Sequence, residues 1–292
     1  MQKGKYIWMD GKFIPWKQAK IHVLSHSLHY GASVFEGIKI YPKGVFRLDG
    51  HLARFYDSMK AISMKPTFSK SEFTKACIEI VRKNKISLGY LRPIAFYGEG
   101  GMNLFWKDMP VKMAIIAIPW KNYLAGEIKI KTSKWRRISP GTVALHAKVS
   151  GHYVNSNLAT TEAYESGADE ALLFDEKGHV AEAASANIFF VKNGEVFTSK
   201  RDFILPGFSR DSVICLAKDL GLKVYEKNMK KVELKTFDEA FLTGTASEIV
   251  SICEIDGRKL SKEHPVTDRL KVAFKDAVSG KNMKYRKWLT RV

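Results

Sequence analysis

Between Glu170 and Thr198 the chain strings together four short apolar runs, and few folds accept such a string. Glu170-Ala-Leu-Leu-Phe174, His179-Val-Ala-Glu182, Asn187-Ile-Phe-Phe-Val191 and Val196-Phe-Thr198 are of strand length, with turn residues at Asp175-Glu-Lys-Gly178 and Asn193-Gly194. Connections this short cannot carry a crossover, so antiparallel pairing is predicted. The same pattern opens the chain. Residues 6–9 and 12–16 read as a hairpin turning at Asp10-Gly11, and Pro15 makes the second arm an edge. Further strands are predicted at 33–41, 45–48, 91–97, 112–118, 128–132, 223–225 and 240–242.

Helical spacing alternates with these strands, which points to an α/β chain. Leu52, Phe55, Met59 and Ile62 share one face of a helix predicted to start near His51, with Asp49 as its cap. Helices are also predicted over 71–83, 155–166 closed by Gly167, 210–219 capped by Ser209 and ended by Gly221, and 268–279. Small polar residues at 243–248 read as the opening of a short helix. At 292 residues the chain suits one large domain or two of ordinary size. The strand pattern breaks at Pro119-Trp-Lys-Asn-Tyr-Leu-Ala-Gly126. The division predicted is therefore 1–118, a connecting loop 119–127, and 128–292. A connector that keeps Trp120 and Tyr123 is expected to pack into a cleft.

Composition narrows the function. Hydrophobic residues make up 45% of the chain, enough for a sizeable core. No apolar run reaches the roughly 20 residues that span a bilayer, and the opening residues show no signal core, so the cytoplasm is expected. Cys77, Cys215 and Cys253 have neither metal-ligand spacing nor an even count, and read as buried free thiols. The net charge of +18 reads as a solvated basic surface able to attract anionic metabolites. Its densest clusters are 227–231 and 281–287. A nucleic-acid partner is the minority reading, since neither cluster sits in a recognised motif.

Candidate chemistry centres on His146-Ala-Lys-Val-Ser-Gly-His-Tyr-Val-Asn155. Apolar residues alternate at Val143, Leu145, Ala147 and Val149, so Lys148 falls on the polar face and, taken alone, reads as a solvated surface lysine. A lysine at a strand end followed by small residues can also swing its amine into a cleft and form a Schiff base with an aldehyde. Arg54, placed in the first turns of its helix, is a surface arginine or an anion ligand. Ser209 caps a helix or helps seat a phosphate. Gly98-Glu-Gly-Gly-Met-Asn103 lacks the strand–turn–helix setting of a dinucleotide site.

Taken together and in order, these segments resemble the branched-chain aminotransferases. These are pyridoxal-phosphate enzymes of the fold shared with D-amino acid aminotransferase and aminodeoxychorismate lyase. The resemblance runs from Tyr6 to about Ile255. It rests on residues 26–41, Tyr90-Leu-Arg-Pro93, Pro119-Trp-Lys-Asn-Tyr123, Lys148 with Tyr153, 182–187, Leu205-Pro-Gly207 and Gly244-Thr-Ala246. It implies a two-domain fold-type IV enzyme with pyridoxal 5'-phosphate between a small N-terminal and a larger C-terminal domain. Lys148 would be the Schiff-base lysine. Arg54 would hold the phosphate with Phe208, Ser209 and Thr245, and Leu205 would be a further cofactor-binding residue. Glu182 would partner the pyridine nitrogen and Tyr153 the ring oxygen. Tyr30, Phe35, Gly37, Tyr90, Arg92, Trp120 and Tyr123 would line the substrate pocket, and Thr245 with Ala246 would seat the substrate carboxylate. The implied reaction moves the amino group of L-leucine, L-isoleucine or L-valine to 2-oxoglutarate in an enzyme that is at least a dimer. A D-amino acid aminotransferase or the lyase is the neighbouring possibility. Ser150-Gly151, Ser209 and 103–107 depart from the common pattern, so side-chain preference is the least determined expectation.

Overall fold

The computed structural model describes residues 3–106, 108–120 and 126–292. Two compact units emerge, and neither is one continuous stretch. The first is Met1–Lys121 with Ala147–His152 and Ala277–Val292; the second is Asn122–His146 with Tyr153–Asp276. This revises the division at 128–292: the lysine segment and the last residues group with the first unit.

In the first unit, β1 (Tyr6–Met9) and β2 (Lys12–Pro15) form the predicted hairpin, with Met9 opposite Lys12. Asp10 and Gly11 both take positive φ, 47° and 88°, as a turn matched to strand twist requires. A short α1 (His26–Tyr30) leads to β3 (Ser33–Phe35) and β4 (Ile38–Tyr41), where the sequence pattern predicts a single strand. Glu36 and Gly37 interrupt it. Next come β5 (Gly44–Phe46), α2 (Leu48–Ala61), α3 (Lys70–Lys83), β6 (Gly89–Tyr97) and β7 (Val111–Pro119). β6 pairs with β7 along its full length and also with β3 and β4. Leu52, Phe55 and Met59 of α2 and Phe73, Cys77 and Ile80 of α3 are wholly buried and form this unit's helical core. Ser69 caps α3 in a reciprocal box with Glu72. Asp49 does not cap α2. That helix starts at Leu48 behind Arg47, whose φ is 52°, and Asp49 lies in its first turn.

The second unit holds β8 (Ile128–Arg136), α4 (Tyr153–Glu165), β9 (Glu170–Phe174), β10 (Val180–Ala183), β11 (Asn187–Lys192), β12 (Glu195–Thr198), α5 (Phe208–Asp219), β13 (Val224–Glu226), β14 (Glu239–Gly244), β15 (Glu248–Ile255), β16 (Arg258–Lys259) and α6 (Pro265–Val278). Its sheet runs β10-β9-β8-β15-β14-β11-β12-β13. The tight turns give antiparallel β9–β10 and β11–β12, as expected. The pairs β8–β9, β8–β15 and β12–β13 are parallel. Ala159 and Ala163 of α4 pack on Ala171 and Leu173 of β9. Small side chains there let helix and sheet approach closely. Residues 245–247 form a turn joining β14 to β15 rather than opening a helix. A last strand, β17 (Leu289–Thr290), returns to the first unit and pairs with β5. Among the described residues, no helix is long and apolar enough to cross a membrane.

Candidate active site

In the first unit the chemistry gathers around Phe35. Lys148 is half-buried and lies outside the named strands, attached by a single bridge between Val149 and Val34. This departs from the expected strand end. Its backbone is held firmly all the same: its N–H donates to Ser58 Oγ (2.9 Å) and its carbonyl accepts from the Phe35 N–H (3.1 Å). The Lys148 Nζ lies 4.9 Å from the Phe35 ring centre, and the Arg92 guanidinium carbon lies 4.7 Å from it. One aromatic ring thus serves two cations, an arrangement that the negative faces of the ring favour.

Arg92 lies on β6 with Tyr90, whose hydroxyl accepts from Arg92 Nη2 (3.1 Å). Tyr90 packs on Trp120 with ring centres 5.1 Å apart. Gly37 faces the same group, and any side chain there would collide with the Tyr90 hydroxyl. Arg92 Nε is buried without a hydrogen-bond partner, and no carboxylate pairs with Arg92 among the described residues. Phe35, Gly37, Tyr90, Arg92, Trp120 and Lys148 therefore lie close together in the first unit. Tyr30 stands apart: it is exposed, its ring packs near His26, and its hydroxyl donates to the Met102 carbonyl. Tyr123 lies outside the described residues.

Arg54 is the seventh residue of α2, beyond the first turn where a helix dipole acts. Its position is set by Glu36 instead. Arg54 Nε donates to Glu36 Oε1 (2.6 Å) and Nη2 to Oε2 (2.9 Å), a two-point grip that fixes the guanidinium plane. Glu36 is fully buried and also contacts His51 Nδ1 at 2.7 Å. Burial by itself would raise the Glu36 carboxyl, but Arg54 and His51 outweigh it and hold it well below the usual carboxylate range. Burial lowers His51, against the pull of Glu36. Sequence reasoning misses both residues. Glu36 sits inside an apolar strand run, and its partners lie on a helix later in the chain, with no local spacing to reveal them.

In the second unit Glu182 is buried on β10. Arg137 Nε (2.7 Å), Asn187 Nδ2 (2.9 Å) and the Leu205 N–H (3.1 and 3.2 Å) all donate to its carboxylate. Asn187 also donates to the Leu205 carbonyl, which ties this carboxylate to the segment entering α5. α5 starts at Phe208 behind Gly207, with no side-chain cap, so Ser209 is the second helical residue rather than the cap, and it is buried. A side chain at Gly207 would collide with Asn187 Oδ1. Tyr153 is the first residue of α4, half-buried. Thr245 and Ala246 are half-buried in the β14–β15 turn. Arg137 and Asn187 are the further residues that sequence reasoning misses.

The family model described as Amino-transferase class IV matches residues 33–255. The chain belongs to the class IV aminotransferases. It is 40% identical over 297 residues to a branched-chain-amino-acid aminotransferase of Pseudomonas aeruginosa, covering 98% of this chain and 97% of that one. To the Escherichia coli K12 enzyme of the same name it is 38% identical over 307 residues, covering 100% and 98%. A solved structure of the T.th. branched-chain amino acid aminotransferase with pyridoxamine 5'-phosphate superimposes with a TM-score of 0.96 at 41% identity, covering 100% of this chain and 99% of that chain. Another structure of that protein carries N-(5'-phosphopyridoxyl)-L-glutamate.

The cofactor of this family is pyridoxal phosphate, and the side chains fit its demands unit by unit. The first unit offers an amine on a fixed backbone and a guanidinium held at two points. The second offers a carboxylate oriented by three donors beside a helix that starts without a side-chain cap. Cys77 is buried while Cys215 and Cys253 are half-buried, and none forms a disulfide.

Proposed function

We propose that the protein is a transaminase that moves the amino group of L-leucine, L-isoleucine or L-valine to 2-oxoglutarate. It would release the branched-chain 2-oxo acid and then L-glutamate in two half-reactions. When bound, pyridoxal phosphate supplies an aldehyde that condenses with amines and a ring that withdraws the electrons left when a Cα–H bond breaks. In this reading Lys148 would hold the cofactor covalently at rest, and once the substrate amine has displaced it the freed Nζ would take the proton from the substrate Cα. Glu182 keeps a proton on the ring nitrogen, with Arg137, Asn187 and the Leu205 amide fixing its carboxylate. Arg54 would bind the phosphate, joined by Phe208, Ser209 and Thr245, with Leu205 bordering the cofactor through its tie to Glu182. Tyr153 contacts the ring oxygen, and Thr245 with Ala246 receives the substrate carboxylate.

The observation that carries the substrate assignment is the buried, unpartnered Nε of Arg92 beside Phe35, Tyr90 and Trp120. Apolar walls suit a branched aliphatic side chain. A wholly apolar pocket would bury the glutamate carboxylate unpaired, at prohibitive cost. Arg92 can meet that carboxylate in one half-reaction and rest on its aromatic neighbours in the other. Arg92→Met is expected to slow the 2-oxoglutarate half-reaction by about a hundredfold and leucine much less, since a charge-assisted bond is lost only in the former. Single-turnover absorbance measures each. Equal loss in both, with the fold intact, would make Arg92 structural.

Self-association is part of this proposal. Val23, Leu28, Met102, Leu104 and Phe105 are exposed on two segments tied together by the contacts of His26 and Tyr30 with Asn103 and Met102. An apolar patch of this kind is ordinarily covered by a partner, here a second copy. Three cysteines without a disulfide among them accord with a reducing compartment such as the cytoplasm.

A further inference from the structure

The basic cluster near the C-terminus contributes to a cleft that none of the candidate active-site residues lines. Residues 280–292 shape one wall of a cleft of about 650 Å³ in the first unit, within the size range of small-molecule sites. Five cations line it: Lys43 from the β4–β5 turn, Arg82 and Lys85 from the end of α3, and Arg286 and Arg291 from either side of β17. No aspartate or glutamate lines it, and none of the five forms an ion pair among the described residues. The C-terminal dipole of α3 accounts for cations at Arg82 and Lys85. It does not account for Lys43, Arg286 and Arg291, which come from other elements to the same space.

Lys85 adds a second observation. It follows the C-cap of α3 at φ 54°, with the Ile86 N–H reaching back to the Val81 carbonyl, a position where glycine is favoured. A long cation is kept where the backbone prefers no side chain. Ile86 and Leu289, both buried, give the cleft an apolar floor.

We propose that this cleft binds a small organic polyphosphate of the nucleoside di- or triphosphate class. Five unpaired cations in one concavity call for several negative charges, more than a single carboxylate brings. The volume of the open cleft suits a small molecule, and the apolar floor suits its organic part.

The test is isothermal titration of the cofactor-loaded enzyme, whose own phosphate site is then filled, with ADP and with inorganic tripolyphosphate. The expected result is one site per chain for each probe, weakened by added salt. Lys43→Glu with Arg286→Glu should weaken binding at least about tenfold. The exposed pair Lys259→Glu with Lys262→Glu, which changes the net charge equally from the second unit, should leave it nearly unchanged. Equal weakening by both pairs would mean that the overall field draws the anion, and the cleft assignment falls. It falls equally if neither probe binds, or if a short RNA binds through these residues more tightly than ADP does.

Discussion

Each unit buries one glutamate against one arginine, and the two pairs are built in opposite senses. Glu36 is wholly enclosed and grips Arg54 through Nε and Nη2, with His51 on its other side. The acid is the frame and the cation is what the frame presents. Glu182 is gripped by Arg137 Nε, Asn187 and the Leu205 amide, so there the cation belongs to the frame and the carboxylate is presented. A buried ion pair contributes little net stability, because desolvation offsets the attraction. What both pairs provide is a charged group fixed before any ligand arrives, so ordering it costs nothing on binding. The two frames present opposite charges, a cation in the first unit and a carboxylate in the second.

The largest effect expected is on the lysine whose proposed chemistry depends on both frames. Lys148→Ala should cut turnover by about three to four orders of magnitude, as loss of covalent catalysis and of the base demands. Cofactor should still bind through the framed charges, without the covalent link. Normal turnover in this variant would remove Lys148 from the mechanism.

Glu182→Gln keeps the shape of the presented group and discharges it. Turnover should fall on the order of a hundredfold while cofactor affinity changes little, a typical scale for one electrostatic group. If affinity falls and turnover does not, Glu182 belongs to a frame like Glu36, and the contrast between the units fails.

Glu36→Gln tests the other sense. Arg54 loses its charged grip, so cofactor affinity of the apoenzyme, read by fluorescence titration, should drop about tenfold with kcat at saturation nearly kept. Glu36→Ala leaves Arg54 and His51 buried without their partner and should cost about 3–5 kcal/mol of stability by chemical denaturation. A reduced kcat with unchanged affinity would give Glu36 a direct part in the reaction.

The smallest effect is on pH. Burial lowers His51, so the folded protein favours the neutral ring and the unfolded chain takes the proton first. Its contribution is present above the ordinary histidine value of 6.5 and is lost as pH falls from there through the lowered value. Glu36, held low by Arg54 and His51, adds a second loss that begins below the ordinary carboxyl value of 4.5. His51→Asn should flatten the upper part of the stability–pH curve and leave the lower part. An unaltered curve would mean that His51 titrates freely.

Local structure is legible wherever neighbouring residues decide it. Asp10-Gly11 announces its turn because both positions need positive φ, and Phe55 and Met59 announce their helix face by spacing. Caps are less legible. Asp49 and Ser209 are good capping types, but Arg47 and Gly207 take those positions, Arg47 held by the Trp288 carbonyl and Gly207 by the close approach of Asn187. The pocket from Phe35 to Arg92 is legible through family resemblance, whereas its frames are not. Glu36 meets Arg54 and Arg137 meets Glu182 only after folding, and nothing beside Glu36 or Arg137 in the chain marks either pairing. Likewise, β17 is two residues long, too short for any pattern, and its partner β5 lies near the other end of the chain.

That last pairing bears on how the protein is made. A ribosome delivers β5 long before Leu289 and Thr290, so during synthesis this edge of the first sheet exposes unpaired backbone groups that could join another chain's strand. Gly44–Phe46 is fully buried once folding is complete. The first unit can thus be finished only after nearly the whole second unit has left the ribosome, and nascent chains are most open to misassembly and to chaperones in that interval.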